Sequence, residues 1–171
     1  MNEDTFLLAR YREQEDESAL KFLIDRHLKK VFTFIFFLLG GDSNKAHEVT
    51  RSCFIEVVRA DSPKKGEIFF LGLLRTALAK LRDSKTAPSP SSYYLEDSFR
   101  ETPGSLRIVR QALFMLPIGI RAKLLLRDQL HLLYEDISLI YGISKQALKS
   151  QMRQARSQLR EKLQEILDRS R

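Results

Sequence analysis

Apolar residues recur along this chain at three- and four-residue steps, and no stretch alternates convincingly enough to be a strand, so the pattern predicts an all-α fold. A short first helix is expected over residues 4–13. A long second helix comes next over 16–39, with Leu20, Leu23, Ile24, Leu28, Val31, Ile35 and Leu39 as its apolar face. Gly40 and Gly41 stop it, because glycine accepts the left-handed backbone that ends a helix. Asp42 or Ser43 then caps a third helix reaching about residue 60, which turns Ala46, Val49, Cys53, Phe54 and Val57 inward. After a loop at 61–66, a fourth helix near 67–82 begins almost wholly apolar and ends basic.

The composition changes over residues 84–105 to Ser, Pro, Thr and Tyr, centred on Ala87-Pro88-Ser89-Pro90, which predicts a linker. Tyr93, Tyr94, Leu95 and Phe99 are apolar anchors within it. The chain therefore reads as a helical domain at 1–83, a flexible linker at 84–105 and a second helical domain at 106–171. In the second domain one helix runs to 116, Pro117 breaks it, and another runs from 118 to about 129.

Residues 132–169 then form a helix-turn-helix pattern. Ile137 and Ile140 turn inward on its first helix, Gly142 permits a tight left-handed turn, Ile143 fills the corner and Ser144 caps the second helix. On the second helix Leu148, Met152, Ala155, Leu159 and Leu163 form one buried stripe. At about 100° per residue, Gln146, Ser150, Arg153, Gln154 and Ser157 fall opposite, while Lys149, Gln151 and Arg156 flank the stripe. Arginine and glutamine match the paired hydrogen-bonding groups on guanine and adenine edges, and lysine or arginine matches phosphate, so duplex DNA is the first partner this face suggests.

Charge sharpens that reading. The 171 residues carry a formal net charge of +7, which favours a polyanionic partner. The excess is local: from Lys145 onward eight basic residues stand against three acidic ones, whereas the first twenty residues hold six acidic against two basic. Such localisation suits phosphate contact better than uniform stickiness.

The single cysteine, Cys53, excludes an internal disulfide and is compatible with a reducing compartment, the cytoplasm by default. The start Met1-Asn2-Glu3-Asp4 is acidic and does not read as a secretory signal, and the apolar run 31–39 is about half a membrane span, so no membrane insertion is expected. His27, His47, Cys53 and His131 have no close metal-ligand spacing, and no phosphate-binding glycine loop or nucleophile motif occurs. Glu135-Asp136 points in two directions on a helix and suits capping or solvation rather than acid/base chemistry. No enzyme, cofactor or metal is expected.

These residues, taken together, resemble a bacterial extracytoplasmic-function sigma factor over nearly the whole chain. In the second domain the resemblance to region four of that family rests on Ala112-Leu113-Phe114-Met115-Leu116-Pro117, Arg121, Leu124-Leu125-Leu126-Arg127, Tyr134-Glu135-Asp136-Ile137, Gly142-Ile143-Ser144, Leu148-Lys149-Ser150, Ala155-Arg156 and Leu159-Arg160-Glu161. In the first, Phe6-Leu7-Leu8-Ala9-Arg10, Ala19-Leu20-Lys21-Phe22-Leu23, Gly41-Asp42 and Val57-Val58-Arg59-Ala60 resemble region two. The third helix departs from the family. Lys45, His47, Arg51 and Ser52 stand where acidic residues and a Gln-Asp or Gln-Glu pair are usual, with Glu48 alone still acidic, and Val58 replaces a tryptophan; on the fourth helix Thr76 and Lys80 replace Asn and Asp.

The resemblance implies promoter recognition as part of RNA polymerase. It places Lys145, Gln146, Lys149, Ser150, Arg153, Gln154 and Arg156 on the minus-35 element. Lys64, Lys65, Arg75, Lys80 and Arg82 are assigned to the minus-10 element, where a non-template base is extruded at a cost of a few kcal/mol of stacking. Docking on the polymerase core falls to Glu48, Arg51, Ser52 and Glu56. An anti-sigma protein is a further implied partner. Because charge reversal at a docking surface ordinarily repels the original partner, the altered third helix keeps a second reading open: a sigma-like regulatory module that binds an anti-sigma protein or another partner instead of serving as an ordinary specificity factor.

Overall fold

A computed structural model describes residues 3–60, 68–83 and 104–169; among them every regular element is helical and no strand occurs. In chain order these are α1 (Glu3–Gln14), α2 (Glu17–Leu38), α3 (Ser43–Arg59), α4 (Phe69–Asp83), α5 (Gly104–Phe114), α6 (Ile118–Leu124), a π-helical turn (Leu125–Gln129), α7 (Tyr134–Tyr141) and α8 (Lys145–Arg169). The all-α expectation holds. The loop at 61–66 and the linker centre, with Lys64, Lys65, Tyr93, Tyr94 and Phe99, lie outside the described residues. By contacts the chain divides into one unit of Met1–Ile35 with Asn44–Asp83 and a second of Phe36–Ser43 with Ser84–Arg171.

In the first unit Leu23, Val31, Phe34 and Ile35 of α2 are fully buried, as are Cys53 of α3 and Leu73, Leu74 and Ala77 of α4. The expected stripe is buried at Leu23, Val31, Ile35 and Leu39 and half-buried at Leu20 and Ile24, and it fails at Leu28. Ala19, Leu23, His27 and Val31 are buried, whereas Leu28 is 43% exposed. A histidine takes the place the apolar pattern gave to leucine because Asp4 of α1, itself buried, receives it. His27 Nε2 lies 2.9 Å from Asp4 Oδ2, and Arg26 reaches the other carboxylate oxygen, also at 2.9 Å. The His27 ring stacks on Phe70 at 5.1 Å between centroids. Asp16 is a second small correction. It precedes α2 as a cap, its Oδ1 accepting from the Ala19 N–H at 3.1 Å, and that bond, followed by the Arg10 charge, holds its carboxyl below the usual range. Glu15 reverses the chain before it with φ of 53°.

The His27 pocket makes stability pH-dependent. Burial pushes the imidazole pKa below its ordinary 6.5; the Asp4 carboxylate opposes the fall without cancelling it, and the positive charges of Arg26 and Lys30 reinforce it. Its Nδ1 has no hydrogen-bond partner among the described residues, so a second ring proton would be buried unsatisfied. A histidine with a depressed folded-state pKa contributes stability that is fully present above the unfolded value and lost as pH falls through the folded one. Urea midpoints should therefore drop as pH is lowered from 7 through the window below 6.5, and His27→Gln should flatten that slope.

In the second unit α5, α6 and α7 all pack against α8, and Phe114, Leu116, Leu126, Ile137, Leu148 and Met152 are buried. At its centre lies Arg121, 4% exposed. Its guanidinium donates to five backbone carbonyls: Leu113 at 3.1 Å, Phe114 at 2.5 Å, Leu116 at 2.9 Å, Phe37 at 3.3 Å and Leu38 at 2.9 Å. These acceptors sit at the C-terminal ends of α5 and α2, where helix carbonyls lack intrahelical donors and carry partial negative charge. Burial lowers the Arg121 pKa to about 10, so it stays charged at neutral pH.

Candidate nucleic-acid interface

Two helices and the turn between them make the candidate surface. At the end of α7 Gly142 adopts φ 65°, ψ 33°, the left-handed conformation that side-chain-bearing residues adopt only under strain. Ser144 then starts α8: its hydroxyl accepts from the Ala147 N–H at 3.2 Å, and its carbonyl takes the first helical bond, from Leu148, at 2.9 Å. Ile137 is fully buried against this corner, while Ile140 and Ile143 are half-buried.

On α8 the inward stripe contains Leu148, Met152 and Ala155, all essentially buried; Leu159 and Leu163 are half-buried, and Ile166, absent from the expected stripe, is buried. The opposite side faces solvent. Lys145, Gln146, Lys149, Ser150, Arg153, Gln154, Arg156 and Ser157 are all exposed. The structure thus brings the seven minus-35 candidates onto one side of one helix. Arg153 makes no ion pair or side-chain hydrogen bond among the described residues.

The segment leading into α7 contributes what spacing did not reveal. Where one helix was expected to continue to about residue 129, residues Leu125–Gln129 widen into a π turn, with Leu130 N bonded to the Leu125 carbonyl at 2.9 Å. His131 comes after it with φ of 56°, and Arg127 holds the bend by donating to the Leu132 carbonyl at 2.7 Å. Single π turns of this kind often lie at functional sites because they re-aim side chains. Here Asp128 meets Arg156 at 2.8 Å, the ring of Tyr134 lies under Arg127 and Lys149, and Glu135 meets Lys145 at 2.6 Å. Glu135, exposed in the first turn of α7, is also an ion-pair partner: its bond to Lys145 depresses its pKa, while Asp128 raises that of Arg156. These pairings depend on a backbone geometry that side-chain periodicity does not encode.

In the first unit, Arg82 of α4 is exposed and Arg75 half-buried, whereas Lys80 is paired with Glu56 of α3 at 2.7 Å. One residue assigned to polymerase docking is thereby joined to one assigned to the minus-10 element. Glu48, Arg51 and Ser52 share an outer face of α3 with His47 and Ile55, bordering a shallow depression. That face carries both signs of charge. Cys53 is buried and its thiol is pushed up to about 12, which makes it inert packing. No cluster of three metal-ligating side chains occurs among the described residues, and none of their helices is long and apolar enough to cross a membrane.

No family model matches the chain, and no curated protein does. Solved structures do. CnrH, in complex with the cytosolic domain of CnrY, is 21% identical, with 99% of this chain and 100% of that one covered at a TM-score of 0.73. The sigma factor RpoE from Bartonella quintana, in complex with the anti-sigma factor NepR, is 20% identical, covering 85% of this chain and 96% of that one at a TM-score of 0.62. At these identities the likeness shows a shared all-helical fold across nearly the full length.

Proposed function

We propose that this chain is a sigma-type specificity factor of the extracytoplasmic-function class, which joins the RNA polymerase core and directs it to promoter DNA. The observation that carries the reading is the division of α8: Leu148, Met152 and Ala155 are buried while Gln146, Ser150, Arg153 and Gln154 face solvent. The fold shared with CnrH and RpoE supports it. In this reading α8 lies in the major groove of the minus-35 element, with Gln146, Ser150, Arg153 and Gln154 at base edges and Lys145, Lys149 and Arg156 on phosphates. The first unit opens the minus-10 element, with Lys64, Lys65, Arg75, Lys80 and Arg82 as cationic support for the extruded strand. Glu48, Arg51, Ser52 and Glu56 of α3 dock on the core enzyme.

The charge of α3 favours a second reading. Lys45, His47 and Arg51 make this helix basic where the family it resembles is acidic, which suits a regulatory module whose partner is an anti-sigma protein. Purified chain mixed with core polymerase, then assayed by run-off transcription on genomic DNA, separates the two. The first reading expects a stable holoenzyme and discrete new start sites. A complex that forms without any start supports the second, and no complex at all removes the first.

A further inference from the structure

The cations that α8 offers to phosphate are already engaged by the protein itself. Lys145 Nζ lies 2.6 Å from Glu135 Oε1, Arg156 donates to Asp128 Oδ1 at 2.8 Å, and Lys149 Nζ stands 5.9 Å over the Tyr134 ring, which Arg127 shares at 4.9 Å. All three holders come from the π turn and the start of α7. Arg153, the side chain assigned to a base edge, has no such holder among the described residues. The side chains that attract any duplex are restrained, and the one cation among those assigned to base edges is open.

We propose that Asp128 and Glu135 are specificity-determining residues that compete with DNA phosphates for Arg156 and Lys145, and so suppress binding to arbitrary duplex relative to a preferred site. This rests on the reading that α8 faces a duplex. Binding without sequence preference derives almost wholly from phosphate neutralisation and counterion release. A cation already matched by a carboxylate releases fewer counterions when it meets a phosphate, and the carboxylate itself repels the backbone. Hydrogen bonds from Arg153 to a base edge are untouched by either effect, so the ratio of preferred to arbitrary binding rises. Orientation of the cations is the lesser effect. The paired side chains are about half exposed, 56% and 56% for Lys145 and Glu135 and 46% and 49% for Arg156 and Asp128, and exposed pairs hold geometry only weakly.

The test compares the full-length parent with an Asp128→Asn, Glu135→Gln double variant. A second double variant, Glu165→Gln with Asp168→Asn, changes net charge equally but alters acids that hold Lys162 and Gln164. Each protein is assembled with core polymerase, and binding is titrated against salt on a mixed-sequence duplex and on a duplex that the parent complex selects from a random pool, with core polymerase alone as the baseline. The first variant should bind mixed sequence roughly three- to tenfold more tightly, with a salt slope steeper by about one to two and a reduced preference for the selected duplex. The control should move by less than half as much. Unchanged or weaker mixed-sequence binding overturns the proposal, as does an equal shift in the control, which would reduce it to net charge. A parent complex that binds no duplex beyond that baseline sinks the assignment of α8 and this proposal with it; a binding parent with unchanged variants sinks the proposal alone.

Discussion

Replacing Arg121 with methionine should cost the second unit about 3–5 kcal/mol of stability. The Leu113 and Phe37 carbonyls also accept from the Leu116 and Gly40 N–H groups, but those of Phe114, Leu116 and Leu38 lose the donor that Arg121 supplies, and a buried carbonyl left without one costs roughly 1–3 kcal/mol. The side chain is a cation with no carboxylate partner among the described residues. Its five acceptors are main-chain oxygens of Leu113, Phe114, Leu116, Phe37 and Leu38, and the negative ends of two helices stand in for a counterion. Methionine fills comparable volume, so cavity formation contributes little and the loss reports the hydrogen bonds. Lysine keeps the charge but cannot spread it over a planar fork, and Arg121→Lys should recover only part of the loss. Circular dichroism in urea measures both. With two units in the chain, the effect should fall on one part of the transition and leave the other in place. A methionine variant within about 1 kcal/mol of the parent would show that water or neighbouring side chains satisfy these carbonyls instead.

Most of the helical order was legible because periodicity is a local property: Gly40, Gly41, Pro117 and Gly142 end or break helices where their backbone chemistry requires it, and the stripe of Leu148, Met152 and Ala155 is buried as its spacing implied. Errors arose where a distant residue decided the outcome. His27 is inside and Leu28 outside because Asp4, more than twenty positions away in the chain, supplies a partner that no hydropathy pattern contains. Arg121 stood out in the sequence only as part of a family-like motif, and its role depends on carbonyls from Phe37 and Leu38. The π turn at Leu125–Gln129 left no trace in a run of leucines that suits an ordinary helix equally well. For the candidate interface, the exposed set on α8 could be read from a helical wheel. The pairing of Lys145 with Glu135 and Arg156 with Asp128 could not, because ten and twenty-eight residues separate the partners.

Loss of Arg153 should be felt at one promoter position and nowhere else. An arginine that forms two hydrogen bonds with a guanine edge discriminates against the wrong base by about 1–3 kcal/mol, so in holoenzyme Arg153→Ala should relax preference at a single base pair of the minus-35 element by that amount. The side chain is exposed and unpaired among the described residues, which makes the fold insensitive to its removal and the readout a binding effect. Lys149 supplies the contrast. It stands over the Tyr134 ring and faces solvent, and as a phosphate contact its replacement by alanine should weaken every promoter alike and reduce the salt slope by about one. Measurement belongs in the assembled transcription complex, where, in the proposed reading, the core enzyme and the minus-10 contacts would hold α8 against the duplex long enough for a one-position difference to register. Equal losses on matched and scrambled promoters for both variants would contradict the division of roles along this helix, because a face that only neutralises phosphate has no means of telling one base pair from another.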